Sequence, residues 1–193
     1  MPDPVLGTGE VIVDVVATRV LAYAKEVFSG EREYLLGLPA IPGPGAIGRV
    51  RAVGPDAAHL AIGDWVYCDP TVRSRDEALS PDILLQGWTA RNDGSLRLHK
   101  HFRHGSFAEQ MRVPTENAIR IGALDKAAAA SWCALGTLLV PYGGFAAAKL
   151  TVGETVLVNG AIGAFGSAGV AVALAMGASR VIATGPTKRR LRN

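Results

Sequence analysis

The stretch NGAIGAFGSAG, residues 159–169, carries no charged or titratable side chain, so an anion held there must be met by backbone. Gly160, Gly163 and Gly166 have the spacing that gives a tight turn out of a strand, close backbone approach to a pyrophosphate and close packing of a helix on a sheet. The amides of Ala164 and Phe165, at the start of the following helix, then point at phosphate oxygens with the helix dipole behind them. Glycine spacing alone also fits a merely packed turn; the apolar strand before it, and the helix and second strand after it, favour a dinucleotide. Where that second strand ends, an NAD site places Asp or Glu against the ribose hydroxyls. This chain has Thr184 and Gly185, followed by Lys188, Arg189 and Arg190, so the expected cofactor is NADP, its 2′-phosphate held by the cations. A solvated basic tail is the alternative, and nucleic-acid binding by that tail a more distant one.

A second cluster, HKHFRH, holds His99, His101 and His104. Three imidazoles this close can bind a metal, but Lys100 and Arg103 beside them oppose a cation, so the expectation is a mobile basic loop. His59 reads as a surface residue. Two cysteines, Cys68 and Cys133, supply neither a disulfide framework nor a four-thiolate zinc module, and favour a reducing, cytoplasmic setting.

These groups must be positioned by two differently built halves. Residues 10–18, 46–53, 65–68 and 107–113 read as strands, separated by Gly-Pro and Gly-Asp punctuation. From Leu124 the sequence turns alanine-rich and helical, and from Thr155 it reads as a β-α-β unit with apolar strands at Val156–Val158 and Val181–Ala183. The expected class is α/β with a β-rich front, divided into residues 1–120 and 121–193. One β-α-β unit leaves sheet edges and apolar faces uncovered, so further sheet is expected beyond Asn193, and an earlier strand before residue 10. With 49% hydrophobic and 19% charged residues among 193, and a net charge of +3, the balance is globular. The uncharged runs 127–148 and 156–179 are rich in Gly and Ala and contain Pro141 and Asn159, so neither is expected to span a membrane. The opening MPDPVLGTGEV lacks the pattern of a signal peptide.

Taken in order, GTGEVIVDVVAT, FSG, LPAIPGPGAIGRVRAVG, GDWV, GSFAEQMRVP, CALGT and GETVLVNGAIGAFGSAGVAVALAMGASRVIATG resemble the medium-chain dehydrogenase/reductase superfamily over nearly the whole chain. The resemblance implies a GroES-like β-barrel domain followed by a partial Rossmann unit. It also implies where a catalytic zinc would sit in the zinc-dependent branch, and there the sequence departs. Leu21 stands at the Cys position, Pro44 at the His and Gly45 at the Glu, with Cys133 alone keeping its type. Leucine and proline side chains offer no lone pairs, and one thiolate cannot supply three protein ligands. The resemblance further puts Tyr23 at the proton-relay position and Thr137 near the nicotinamide. Trp88, Phe107 and Trp132 are pocket or core aromatics.

Zinc-free members transfer hydride from NADPH to quinones or carbonyl-activated alkenes, with the protein supplying orientation and a proton donor, here Tyr23. Against this enzyme reading stands a truncated relative without catalysis, acting at most as a nucleotide-binding or interaction module. The expected partner is a small molecule, with no membrane; homo-oligomers are usual in the family, but this shortened chain gives them no support.

Overall fold

A computed structural model describes residues 3–77 and 79–185. In chain order the elements are β1 (Glu10–Ala17), α1 (Ala24–Phe28), β2 (Ala46–Val53), β3 (Trp65–Cys68), β4 (Thr71–Arg73), β5 (Ile83–Leu85), β6 (Thr89–Ala90), α2 (Asp93–His101), β7 (Gln110–Pro114), β8 (Ala118–Arg120), α3 (Ala129–Trp132), α4 (Leu135–Ala147), β9 (Thr155–Asn159), α5 (Ala164–Ala175) and β10 (Arg180–Thr184). They divide into two compact units, residues 1–133 and 134–193, so α3 belongs to the front unit and the division falls later than the composition change near residue 120.

The front unit is organised by a five-stranded sheet in the order β7-β1-β2-β3-β8. Its strands form because apolar, mostly β-branched residues alternate: Val11 and Val13 of β1, Val50 of β2, Val66 of β3 and Met111 and Val113 of β7 close one core. β1 pairs antiparallel with both β2 and β7, and two register shifts against β2 bend it. The strand expected at 107–113 begins instead at Gln110. Phe107 and Ser106 are taken by the loop before β2, their amides donating to the carbonyls of Pro42 (2.9 Å) and Gly43 (3.0 Å).

The HKHFRH segment, residues 99–104, is not the mobile basic loop expected from its charges. It closes a folded region made of a three-stranded sheet, β4-β5-β6, and the helix α2, whose N-cap Asn92 accepts the Ser95 amide at 2.8 Å. A small core of Val72, Leu84, Ala90 and Phe102 seals them together. The sequence signal was misleading because α2 buries one stripe only, including Ser95 and His99, and leaves its charges outside.

In the back unit α4 packs on α5, and α5 lies against parallel strands β9 and β10. The run 127–148 is not one helix: α3 ends at Trp132 and α4 starts at Leu135. Among the described residues no single helix is long and apolar enough to cross a membrane. β9 is less buried than its apolar sequence suggested. Only Val158 is buried, and Leu157 is 64% exposed, because two strands and one helix cover a single face.

Candidate functional site

The glycine turn of the back unit has the geometry that backbone recognition of an anion requires. Gly160 leaves β9 with φ +71°, a conformation that disfavours any side chain, and the Gly163 amide donates back to the Gly160 carbonyl at 3.0 Å. A Cβ on Gly166 would collide with that same carbonyl oxygen, so the third glycine is what lets the helix start this close to the turn. Gly163 caps α5 in an extended conformation, and no side chain caps the helix. The first-turn amides of Ala164, Phe165 and Gly166 have no intrahelical carbonyl to reach, and the first turn carries no carboxylate to repel a phosphate. Gly163, Ala164 and Phe165 are exposed. A dinucleotide pyrophosphate fits this cradle in charge and in the space that the missing Cβ atoms leave.

Thr184, at the end of β10, is tied to the turn. Its hydroxyl donates to Asn159 Oδ1 at 2.9 Å, and its carbonyl accepts the Ala161 amide at 2.9 Å. Asn159 thus fixes the turn to the neighbouring strand. Gly185 follows at once, while Lys188 and Arg189 lie outside the described residues. Thr137 sits half-buried in the first turn of α4, its amide bonded to the Ala134 carbonyl at 2.8 Å.

In the front unit Tyr23 occupies the N-cap of α1. Trp88, almost fully buried, packs edge-on to its ring at 5.9 Å, and the Arg32 guanidinium lies 4.1 Å over the ring centre. Arg32 is held in turn by Glu26 at 2.8 Å. Burial raises the Tyr23 phenol above its ordinary value of 10.0, and neighbouring Tyr34 pushes the same way. The phenol therefore stays protonated through the neutral range and can donate. Trp88 was foreseen as a pocket or core aromatic; Arg32 and Tyr34 were not foreseen. The short α1 and the turn after it fold residues 32–34 back on Tyr23, and no local spacing signals that return.

The positions of the zinc branch do not fit a metal. Pro44 and Gly45 are buried between Gly43 and β2, in a loop pinned where three chain segments cross: a Cβ on Gly105 would strike the Gly43 carbonyl, and one on Gly87 would strike Gly105. Thr18 donates to the Gly45 carbonyl at 2.9 Å and shares a 2.6 Å hydrogen bond with Ser106, so hydroxyls knit the loop. Leu21 is half-buried. Cys133 directs its thiol at the Ala129 carbonyl (3.6 Å), and burial pushes that thiol up, away from the thiolate that zinc requires. Cys68 is wholly buried, its thiol pushed up to about 12. Among the described residues no group of three or more His, Cys, Asp or Glu converges to hold an ion.

The three histidines diverge. His99 is buried in α2, with Nε2 unpartnered, against Gly37. His101 pairs with the buried carboxylate of Glu10. His104 accepts the Ile41 amide on Nδ1 at 3.2 Å. Burial, followed by the nearby Arg103 charge, lowers the pKa of both His99 and His104. His59 is exposed. Phe107 packs on Gly43, and Trp132 is partly exposed on α3.

A family model described as the alcohol dehydrogenase GroES-like domain matches residues 7–123. No functionally curated protein matches the sequence. Among solved structures, a thermostable alcohol dehydrogenase from Pyrobaculum aerophilum is 27% identical with a TM-score of 0.72, over 98% of this chain and 54% of that one. The alcohol dehydrogenase TADH from Thermus sp. ATN1 shares the fold at a TM-score of 0.78 and 23% identity, over 99% of this chain and 55% of that one. A cobalt and zinc bound form of a Pyrobaculum aerophilum thermostable alcohol dehydrogenase superposes at 0.72 and 23% identity, over 96% and 54%. The chain spans about half the length of these structures. With the matched domain covering more than half its residues, the chain belongs to the medium-chain dehydrogenase/reductase superfamily, through its alcohol dehydrogenase GroES-like domain.

Proposed function

We propose that the protein is a zinc-independent, NADP(H)-dependent oxidoreductase acting on a quinone, a carbonyl-activated alkene or a similar small molecule. The observation that carries the reading is the replacement of metal-ligand chemistry by Leu21, Pro44 and Gly45 in a rigidly pinned loop, in a chain that keeps an uncapped glycine-turn helix. The nicotinamide, when bound, supplies the hydride. The amides of Ala164, Phe165 and Gly166 hold the pyrophosphate. Thr184 and Gly185 leave room for a 2′-phosphate where an acidic residue would repel it, and Lys188 and Arg189 would neutralise it. Thr137 would orient the cofactor's nicotinamide end.

A substrate whose carbonyl already delocalises incoming charge needs no Lewis acid of zinc's strength. A phenol that stays protonated at neutral pH can hydrogen-bond the carbonyl oxygen and give up its proton as negative charge develops there. Tyr23 is that donor, and the Arg32 guanidinium over its ring stabilises the phenolate left behind.

A second reading, a nucleotide-binding or interaction module without catalysis, is favoured by one observation: the exposed apolar surface of β9 and β10, including Leu157 and Ile182. Titrating NADPH and NADH while following tryptophan fluorescence, and then assaying quinone reduction before and after exhaustive chelation, separates the two. Saturable NADPH binding with chelator-insensitive turnover supports the first. Binding without turnover supports the second, and turnover abolished by chelation overturns the metal-free account.

A further inference from the structure

A cavity of about 440 Å³ lies within the front unit, in the size range of small-molecule sites. Neither Tyr23, Trp88 nor Arg32 lines it, so it is separate from the proposed proton donor. Its apolar wall is made by Val5, Ile41, Phe102 and Met111.

Two polar groups on its lining lack the partners that their chemistry calls for, and a third offers a donor. Arg103 carries a permanent charge yet makes no ion pair with any described carboxylate, and its Nε is buried without a hydrogen bond. Gln86 is 1% exposed and spends both amide hydrogens on the carbonyls of His104 (2.8 Å) and Arg112 (2.7 Å). Those two bonds fix the amide and leave Oε1 a buried acceptor with no donor. His104 takes the Ile41 amide proton on Nδ1, so the neutral ring bears its own proton on Nε2 and offers a donor. Arg112 is already committed, to the carbonyls of Val5 and His101 and to Glu10.

Asp3 and Glu109 also line the cavity, and they oppose a second negative charge on anything that enters. The complement of this lining is a single negative charge, one hydroxyl donor and a short apolar chain. We infer that the cavity binds a small hydroxycarboxylate, its carboxylate facing Arg103 and His104, its hydroxyl facing Gln86 and its alkyl part against Ile41, Phe102 and Met111. A guanidinium with its Nε buried and unbonded and an orphaned buried amide oxygen are each costly, and one ligand of this class answers both.

The test is an amide-resolved NMR titration of the full chain with racemic 2-hydroxybutyrate, against 1,2-butanediol, which keeps the hydroxyl and chain but lacks the carboxylate. The expected result is saturable shifts centred on Ile41, Phe102 and Met111, at least about tenfold weaker for the diol and for Arg103→Met, the loss of one charge-assisted contact. The wild-type comparison stands whether or not that variant folds. No saturation by about 50 mM, an equal response to the diol, or shifts mapping away from these residues overturns the inference.

Discussion

In the front unit Val11, Val13, Val66 and Val113 are fully buried, and polar groups close over that core: Glu10 is tied to the Gly7 amide, His101 and Arg112. In the back unit Leu157, Leu174 and Phe165 are about half exposed or more, and the polar work is done by backbone at one glycine turn. One unit spends its sequence on holding a loop, the other on keeping amides uncovered. A site built on buried contacts fails when its packing fails, whereas a site built on amides fails when a side chain is added.

The sharpest way to break this contrast is at the glycine crossing. Gly105→Ala forces a Cβ into the Gly43 carbonyl, and the front unit is expected to lose about 3 kcal/mol or more in denaturant unfolding. A loss below about 0.5 kcal/mol would mean that the loop is not pinned.

Tyr23→Phe removes the proton donor and leaves the ring packing with Trp88. Quinone turnover should fall about a hundredfold, while stability holds within about 1 kcal/mol. Wild-type activity in the variant would reduce Tyr23 to a packing residue.

The third comparison sets core against surface. Val66→Ala should cost about 1–2 kcal/mol of stability, and Leu157→Ala less than about 0.5 kcal/mol, measured in separate unfolding series. Equal losses would show that β9 is covered in solution.

Gly166→Ala adds one methyl group at the Gly160 carbonyl and should weaken NADPH at least about tenfold, read by fluorescence titration.

The smallest effect is a pH step. His99 and His104 have folded-state pKa values lowered from 6.5, so the unfolded chain takes up protons first. Their neutral forms stabilise the fold fully above about 6.5, and that stability is lost as pH falls through the lowered folded values. The His99→Gln, His104→Gln double variant should flatten the slope of unfolding midpoint against pH in that window.

Much of this molecule is legible from residue order. The strands 10–17, 46–53 and 65–68 follow β-branched alternation, and the turn at 160–166 follows from glycine spacing after an apolar strand, because both patterns are local. The HKHFRH segment was not legible. Its charges suggested a loop, yet the Asn92 cap and the stripe buried against Leu84 carry helix α2 through its first half, to His101, and its three histidines face three different environments. The surroundings of Tyr23 were half legible: Trp88 by type, Arg32 and Tyr34 not at all, since contacts made across a turn leave no period in the sequence.

If backbone amides at the start of α5 hold a dinucleotide, they must sense it. In amide spectra recorded while NADPH is titrated into the full chain, saturable shifts are expected to concentrate on Gly160 and on Gly163 through Ser167. Shifts that saturate elsewhere, with those amides unmoved, would contradict that role.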